Sequence, residues 1–213
     1  MKFYPIQVDL SGKRCVVVGG GAVAERKVAA LREYGVMVCV VAPEVTEELR
    51  ALAETSSVTW MESVYQPEHL DGAFLVIAAT DNREVNAAVV RDAQERNTLV
   101  CAADRFADGN FVSPSTVVRG DLMLTVSTSG QSPTLAAVLR ERLMDEFGEE
   151  WAGYAQLFGA LRQDLKAHGA TEPMRKSMTR RVLDDPEIRA LVCDGKLLEA
   201  EAQARQCLSS WSE

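Results

Sequence analysis

Three consecutive glycines stand between a short apolar run and a helix-forming stretch, in Cys15-Val16-Val17-Val18-Gly19-Gly20-Gly21-Ala22-Val23-Ala24-Glu25-Arg26-Lys27. Gly19-x-Gly21-x-x-Ala24 has the G-x-G-x-x-G/A spacing that seats a dinucleotide. Gly19 can take the tight turn, Gly21 lets backbone approach a pyrophosphate, and Ala24 is small enough for helix to lie close on strand. The first amides of that helix point at the phosphates and carry the positive end of its dipole. A glycine triplet alone marks any tight turn. Strand, turn and helix in this order favour the dinucleotide.

Other residues could do chemistry near such a turn. Asp104 follows the run Leu99–Ala102, where an α/β sheet opens its ligand crevice, or it caps a turn. A dinucleotide site ordinarily ends its second strand with an acid on the ribose diol. Val41-Ala42 occupies that point here, with Pro43-Glu44 just beyond. Glu44 either reaches the ribose or favours the next helix through its dipole. No Arg or Lys lies between Val36 and Glu48, so a 2′-phosphate has no evident partner and NAD is preferred over NADP. The turn Ser127-Thr128-Ser129-Gly130-Gln131-Ser132-Pro133 offers hydroxyls and a helix N-terminus. It could bind carboxylates, or its hydroxyls could satisfy one another.

Positioning these groups requires alternating strands and helices. Strands are expected at Cys15–Val18, Val36–Val41, Val58–Met61, Phe74–Ala78 and Leu99–Ala102. Several are apolar without alternation, as when helices cover both faces. Between them, Ala24, Val28 and Leu31 share a helix face that Gly35 ends, and Thr46–Glu54 reads as a second helix. A third is expected from Asp81, capped with Glu84, burying Val85, Ala88, Val89 and Ala93. This is a doubly wound parallel sheet, an α/β Rossmann-type fold. After Phe111 the pattern changes. Thr116–Val118 and Asp121–Val126 form a hairpin through Arg119-Gly120. A helix then opens with Ser132 as cap and Pro133 at its first position, and the rest is helical. The expected divisions are 1–113, 114–147 and 148–213.

The chain has 213 residues, a net charge of −8 and no broad basic face, which argues against nucleic acid. No apolar run approaches the ~20 residues of a bilayer span, and Met1–Pro5 lacks a secretory apolar stretch. A cytoplasmic protein without a membrane partner is expected. Five cysteines form no C-x-x-C pair, and the two histidines, His69 and His168, lie far apart. Buried thiols are expected, and no metal site. None of Tyr4, Tyr34, Tyr65 or Tyr154 has a Lys four residues later, so the short-chain dehydrogenase pair is missing.

The sequence resembles the precorrin-2 dehydrogenases, including the N-terminal module of siroheme synthase. The matching stretches are Tyr4-Pro5-Ile6, Val18–Lys27, Val41-Ala42-Pro43-Glu44, Ile77-Ala78-Ala79-Thr80-Asp81 with Asn86, Asp104, Asn110–Ser115 and Val126–Ala136. The resemblance implies a Rossmann domain, a small α+β dimerisation segment, a helical domain and a homodimer. It implies NAD-dependent oxidation of precorrin-2 to sirohydrochlorin. Gly19, Gly21, Ala22 and Val23 would meet the pyrophosphate, Pro43 and Glu44 the rest of the cofactor, and Asp104 would be catalytic. Ser127, Thr128, Ser129 and Ser132, with Arg105 and Arg119, would meet the carboxylates of the tetrapyrrole. Some members also insert ferrous iron, so iron or cobalt stays open as a further substrate. A different class, a module that senses NAD without turnover, is also open. The family pattern commonly has Asn three residues before the aspartate, where Cys101 stands. The basic stretch Lys166, Arg175, Lys176, Arg180 and Arg181 forms a pocket wall or a solvated face.

Overall fold

The computed structural model describes residues 3–103, 108–167 and 169–209, with backbone alone at 207–209. The chain divides into two compact units, residues 1–113 with 129–131 and residues 114–128 with 132–213.

In the first unit the strands are β1 (Arg14–Val18), β2 (Met37–Ala42), β3 (Thr59–Glu62), β4 (Leu75–Ala78) and β5 (Leu99–Ala102). They form one parallel sheet in the order β3-β2-β1-β4-β5. From β1 the chain winds outward through β2 to β3, then crosses back to lay β4 and β5 on the other side. The reversal between β1 and β4 opens a crevice at the strands' carboxyl ends. α1 (Ala22–Arg32) buries Ala24, Val28 and Leu31 against Cys15, Val17, Val40 and Ile77 on one sheet face. α3 (Arg83–Glu95) buries Val89, Val90 and Ala93 against Val16, Val18, Val76 and Ala78 on the other. Covered twice, Cys15–Val18, Met37–Ala42, Leu75–Ala78 and Leu99–Ala102 are apolar throughout instead of alternating, while the edge strand β3 carries Thr59 and Glu62 at its exposed ends.

Helix ends follow local chemistry. Gly35 takes φ +64° beyond α1, which glycine adopts without steric cost. α2 (Glu47–Glu54) begins after Thr46, whose Oγ1 accepts from the Leu49 amide at 3.3 Å. The third helix differs from expectation: its cap is Asn82, not Asp81. Asn82 Oδ1 accepts from the Glu84 and Val85 amides at 2.9 and 3.2 Å. Both residue types cap well. Here the Thr80 hydroxyl accepts from the Asn82 amide and so sets the turn one residue later. The helix buries Asn86 and Asp92 with Val89, Val90 and Ala93, while Val85 and Ala88 lie at the margin.

The second unit opens with an antiparallel hairpin, β6 (Ser115–Arg119) and β7 (Leu122–Val126), turning through Gly120 at φ +56°. α4 (Pro133–Glu146) begins as expected, with Ser132 Oγ accepting from the Leu135 amide at 3.2 Å and Pro133 in the first turn. α5 (Glu150–Ala167), α6 (Glu172–Asp184), α7 (Pro186–Cys193) and α8 (Leu197–Ser209) enclose a core of Tyr154, Leu157, Leu161, Met178, Val182 and Ile188.

Cys15, Cys39 and Cys101 are buried free thiols and Cys193 is exposed. Burial pushes the Cys15 thiol up to about 11. His69 caps a single 3₁₀ turn at Pro67–Leu70, its Nδ1 accepting from the Gln66 amide at 3.0 Å. His168 lies outside the described residues. Among the described residues, no group of three or more His, Cys, Asp or Glu is placed to hold a metal ion. Among them, too, no helix is long and apolar enough to cross a membrane.

Candidate functional site

The glycine turn leaves β1 at the switch point, and each glycine meets different surroundings. Gly19 takes φ +124°, and a Cβ there would lie 2.4 Å from the Ala79 carbonyl oxygen and 3.0 Å from the Thr80 nitrogen. Its amide donates to the Val41 carbonyl at 2.9 Å. Gly20 is tighter still: a Cβ would sit 1.9 Å from the Glu44 carbonyl oxygen. Its own carbonyl accepts from the Thr46 amide at 2.9 Å. The spacing pattern assigns Gly20 nothing, yet it locks the turn after β1 to the loop after β2. Gly21, at φ −87°, would place a Cβ in open space, with no atom within 4 Å.

Gly21 is the N-cap of α1 and supplies no side-chain acceptor. The first amides of a helix have no intrahelical partner, and Ala22 and Val23 are exposed there. Ala24, by contrast, is fully buried. The turn thus presents an uncapped helix end beneath free space. That is the arrangement a pyrophosphate requires, and the residues present fit a dinucleotide.

At the end of β2, Pro43 and Glu44 are exposed. The preceding carbonyl, at Ala42, accepts from the Trp60 indole at 3.0 Å and the Ser63 amide at 3.3 Å. Arg50, the first basic residue downstream, lies over the Trp60 ring at 4.9 Å. α2 takes its cap from Thr46 and its first-turn acids from Glu47 and Glu48.

Beyond β4, Thr80 is held by Asn86. The Asn86 Nδ2 donates to the Thr80 carbonyl at 3.0 Å, and its Oδ1 accepts from the Thr80 amide at 3.1 Å and hydroxyl at 2.7 Å. Sequence reasoning gave these two residues no task. The available signal was a polar Asn one turn into a helix whose neighbours at 89, 90 and 93 are apolar.

β5 ends with the Ala103 amide donating to the Ala78 carbonyl at 2.9 Å. Asp104 and Arg105, which follow, lie outside the described residues. Where the chain is described again, Asn110 binds the free edge of β5. Its Oδ1 accepts from the Val100 amide at 2.7 Å, and its Nδ2 donates to the Thr98 carbonyl at 2.9 Å. Gly109 allows this approach, since a Cβ would lie 2.5 Å from the Val100 carbonyl oxygen. Cys101 is buried, and burial raises its thiol against the lowering influence of Lys27.

In the serine-rich turn, Ser129 and Gly130 adopt φ +53° and +80°. The Thr128 hydroxyl accepts from the Ser132 amide at 3.0 Å, and Ser132 Oγ caps α4. Ser127 and Ser129 also have interaction partners. Two hydroxyls of the turn are therefore already engaged in forming it. Arg119 is largely enclosed. It donates to the Phe147 carbonyl at 3.0 Å and the Val118 carbonyl at 3.0 Å, and pairs with Glu149 at 3.3 Å. Its guanidinium ties the hairpin to the α4–α5 junction, which leaves it little to offer an external carboxylate. Along α6, Lys176 pairs with Glu172 at 3.0 Å and Arg175 donates to the Ala170 carbonyl at 2.8 Å.

Sheet order, switch point and glycine turn together define a dinucleotide-binding Rossmann domain. The chain belongs to the family described as "Putative NAD(P)-binding", whose model matches residues 6–115. Residues 119–145 match a second model, "Sirohaem biosynthesis protein central". The siroheme synthase of Photorhabdus laumondii is 35% identical over 208 residues, covering 98% of this chain and 44% of the relative. Siroheme synthase 1 of Pectobacterium atrosepticum is 37% identical, covering 98% and 43%. The chain thus spans less than half the length of these relatives. Among solved structures, SirC, a precorrin-2 dehydrogenase, superimposes with a TM-score of 0.75 at 27% identity, covering 96% of this chain and all of that one.

Proposed function

We propose that this chain catalyses the NAD-dependent oxidation of precorrin-2 to sirohydrochlorin. The observation that carries the reading is the likeness to SirC, which covers 96% of this chain and all of that one. Bound NAD supplies the hydride acceptor. The Ala22 and Val23 amides, with Gly19 and Gly21, hold the pyrophosphate, and Pro43 and Glu44 hold the adenosine ribose. The exposed carboxylate at Glu44, just past the end of β2, supports that assignment. Glu47 and Glu48 beside it disfavour a 2′-phosphate, and Arg50 is occupied by Trp60.

Oxidation removes a hydride and a proton from the tetrapyrrole. Asp104 takes the proton as general base. The Ser127–Ser132 turn, with Ser129 and Arg105, meets substrate carboxylates. Residues 114–147 form a dimerisation segment: Leu135, Val138 and Val118 are apolar yet 49%, 41% and 42% exposed. A second copy of the chain covers them. Buried strand thiols agree with a reducing, cytoplasmic setting.

The test is an anaerobic mixture of protein, precorrin-2 and NAD, followed by the visible spectrum and by NADH formation. Stoichiometric conversion that requires NAD is expected. Conversion without NAD, or none, rejects the reading. Asp104→Asn should lower kcat by about 10²–10⁴-fold with NAD affinity retained. Ferrous or cobalt ion added afterwards asks whether protein accelerates metal insertion.

A further inference from the structure

The geometry points to Asn86 as a positioning residue for the cofactor: from the buried face of α3 it fixes Thr80 as the wall of the cleft beside the glycine turn. This rests on the NAD reading above. Asn86 is 2% exposed and lies on the stripe that α3 presents to the sheet. A primary amide there costs free energy unless it is hydrogen-bonded, and an apolar residue would complete the stripe without that cost. Packing therefore does not explain the choice of residue. Its hydrogen bonds do, because three of them converge on one neighbour, taking the amide, the carbonyl and the hydroxyl of Thr80.

Thr80 is the second residue beyond β4. The Ala79–Thr80 peptide is also the group for which Gly19 lacks a side chain. Thr80 therefore stands beside the glycine turn, on the side of β1 opposite to β2. A dinucleotide whose pyrophosphate lies over Gly21 and whose adenosine lies toward Pro43 must send its nicotinamide half toward the end of β4. Thr80 is the fixed surface that this half meets. Its own polar atoms are satisfied by Asn86 and by the Asn82 backbone, so it acts by position. Asn86 acts through it, without touching the cofactor.

The separation of cofactor halves supplies the test. NAD and ADP affinities of the full chain are measured by calorimetric titration for the wild type, Asn86→Ala, Thr80→Val and Thr80→Ser. Asn86→Ala is expected to weaken NAD by about tenfold and to leave ADP within about twofold, because the adenosine half lies on the β2 side. Thr80→Val, which loses the hydroxyl but keeps the shape, should weaken NAD by about threefold, and Thr80→Ser should match the wild type. A merely structural Asn86 would lower the melting temperature while NAD and ADP affinities moved together or not at all, and that result overturns the inference. Should Asn86→Ala fail to fold, the Thr80 pair decides alone, equal NAD affinities in Val and Ser variants being the negative result. Gly21→Asp is the control for the underlying reading. If it retains NAD affinity, or the wild type shows none, the cofactor assignment fails and not the positioning argument.

Discussion

The sheet and the hairpin segment draw on similar apolar residues and bury them very differently. In β1, Cys15, Val16, Val17 and Val18 are all at most 1% exposed. Across β6, β7 and α4, only Val117 and Ala136 are buried, though Val118, Leu122, Met123, Leu124, Leu135 and Val138 are equally apolar. The sheet receives a helix layer on each face from its own chain. A two-stranded hairpin has too little surface to be stable without further packing. Apolar content therefore says that a segment will be covered, while topology says by what. The first unit closes its core within one chain, and the proposed dimer completes the hairpin and α4.

Variants can break this contrast, beginning with the largest effect. Gly20→Ala drives a methyl group into the Glu44 carbonyl inside the self-contained unit and should cost roughly 3 kcal/mol in chemical denaturation. Gly21→Ala, two atoms of backbone away but facing open space, should stay within about 0.5 kcal/mol and lose NAD affinity instead. Equal stabilities for the two would refute the reading of the turn. In the hairpin unit, Val138→Glu should leave helical content intact and weaken self-association by roughly 100-fold, read by sedimentation. A wild type that is monomeric at micromolar concentration removes the dimer.

Asn110→Ala deletes two hydrogen bonds to the edge of β5, so stability should fall by about 1–2 kcal/mol, with more than half of it recovered in Asn110→Asp only if the acceptor bond to Val100 dominates. The smallest effect concerns pH. Cys15 keeps its proton in the folded sheet up to about 11, against 9.0 for an ordinary thiol. The unfolded chain therefore loses that proton first, and stability falls as pH rises from about 9 to about 11. Denaturation at pH 8 and pH 10.5 should show a shallower alkaline decline in Cys15→Val. An unchanged slope would place the sensitivity elsewhere.

The local structure around the candidate site was largely legible in the chain. The glycine spacing located the turn, Ala24 proved to be the buried small residue it needs, and Ser132-Pro133 opened α4 as residue chemistry requires. Other features were not. Asp81 and Asn82 cap equally well on paper, and the choice fell to the Thr80 hydroxyl that ties the turn together. The contacts of Arg119 to the Phe147 carbonyl and the Glu149 carboxylate, about thirty residues away, could not be read from its own neighbourhood. Such assignments depend on neighbours distant in sequence.

Period and local turn chemistry were enough to determine the parallel sheet, its helices and the dinucleotide turn, because each depends on residues a few positions apart. Tertiary structure alone decided which glycine is sterically indispensable, why a buried Asn sits on α3, and which apolar faces the chain leaves uncovered. Each of those depends on where a second segment arrives: the Glu44 carbonyl over Gly20, Thr80 beside Asn86, and, among the described residues, none that buries Leu135 and Val138 on α4. Short-range patterns carry no record of such meetings, since the same residue is satisfied, crowded or exposed according to what the fold brings against it.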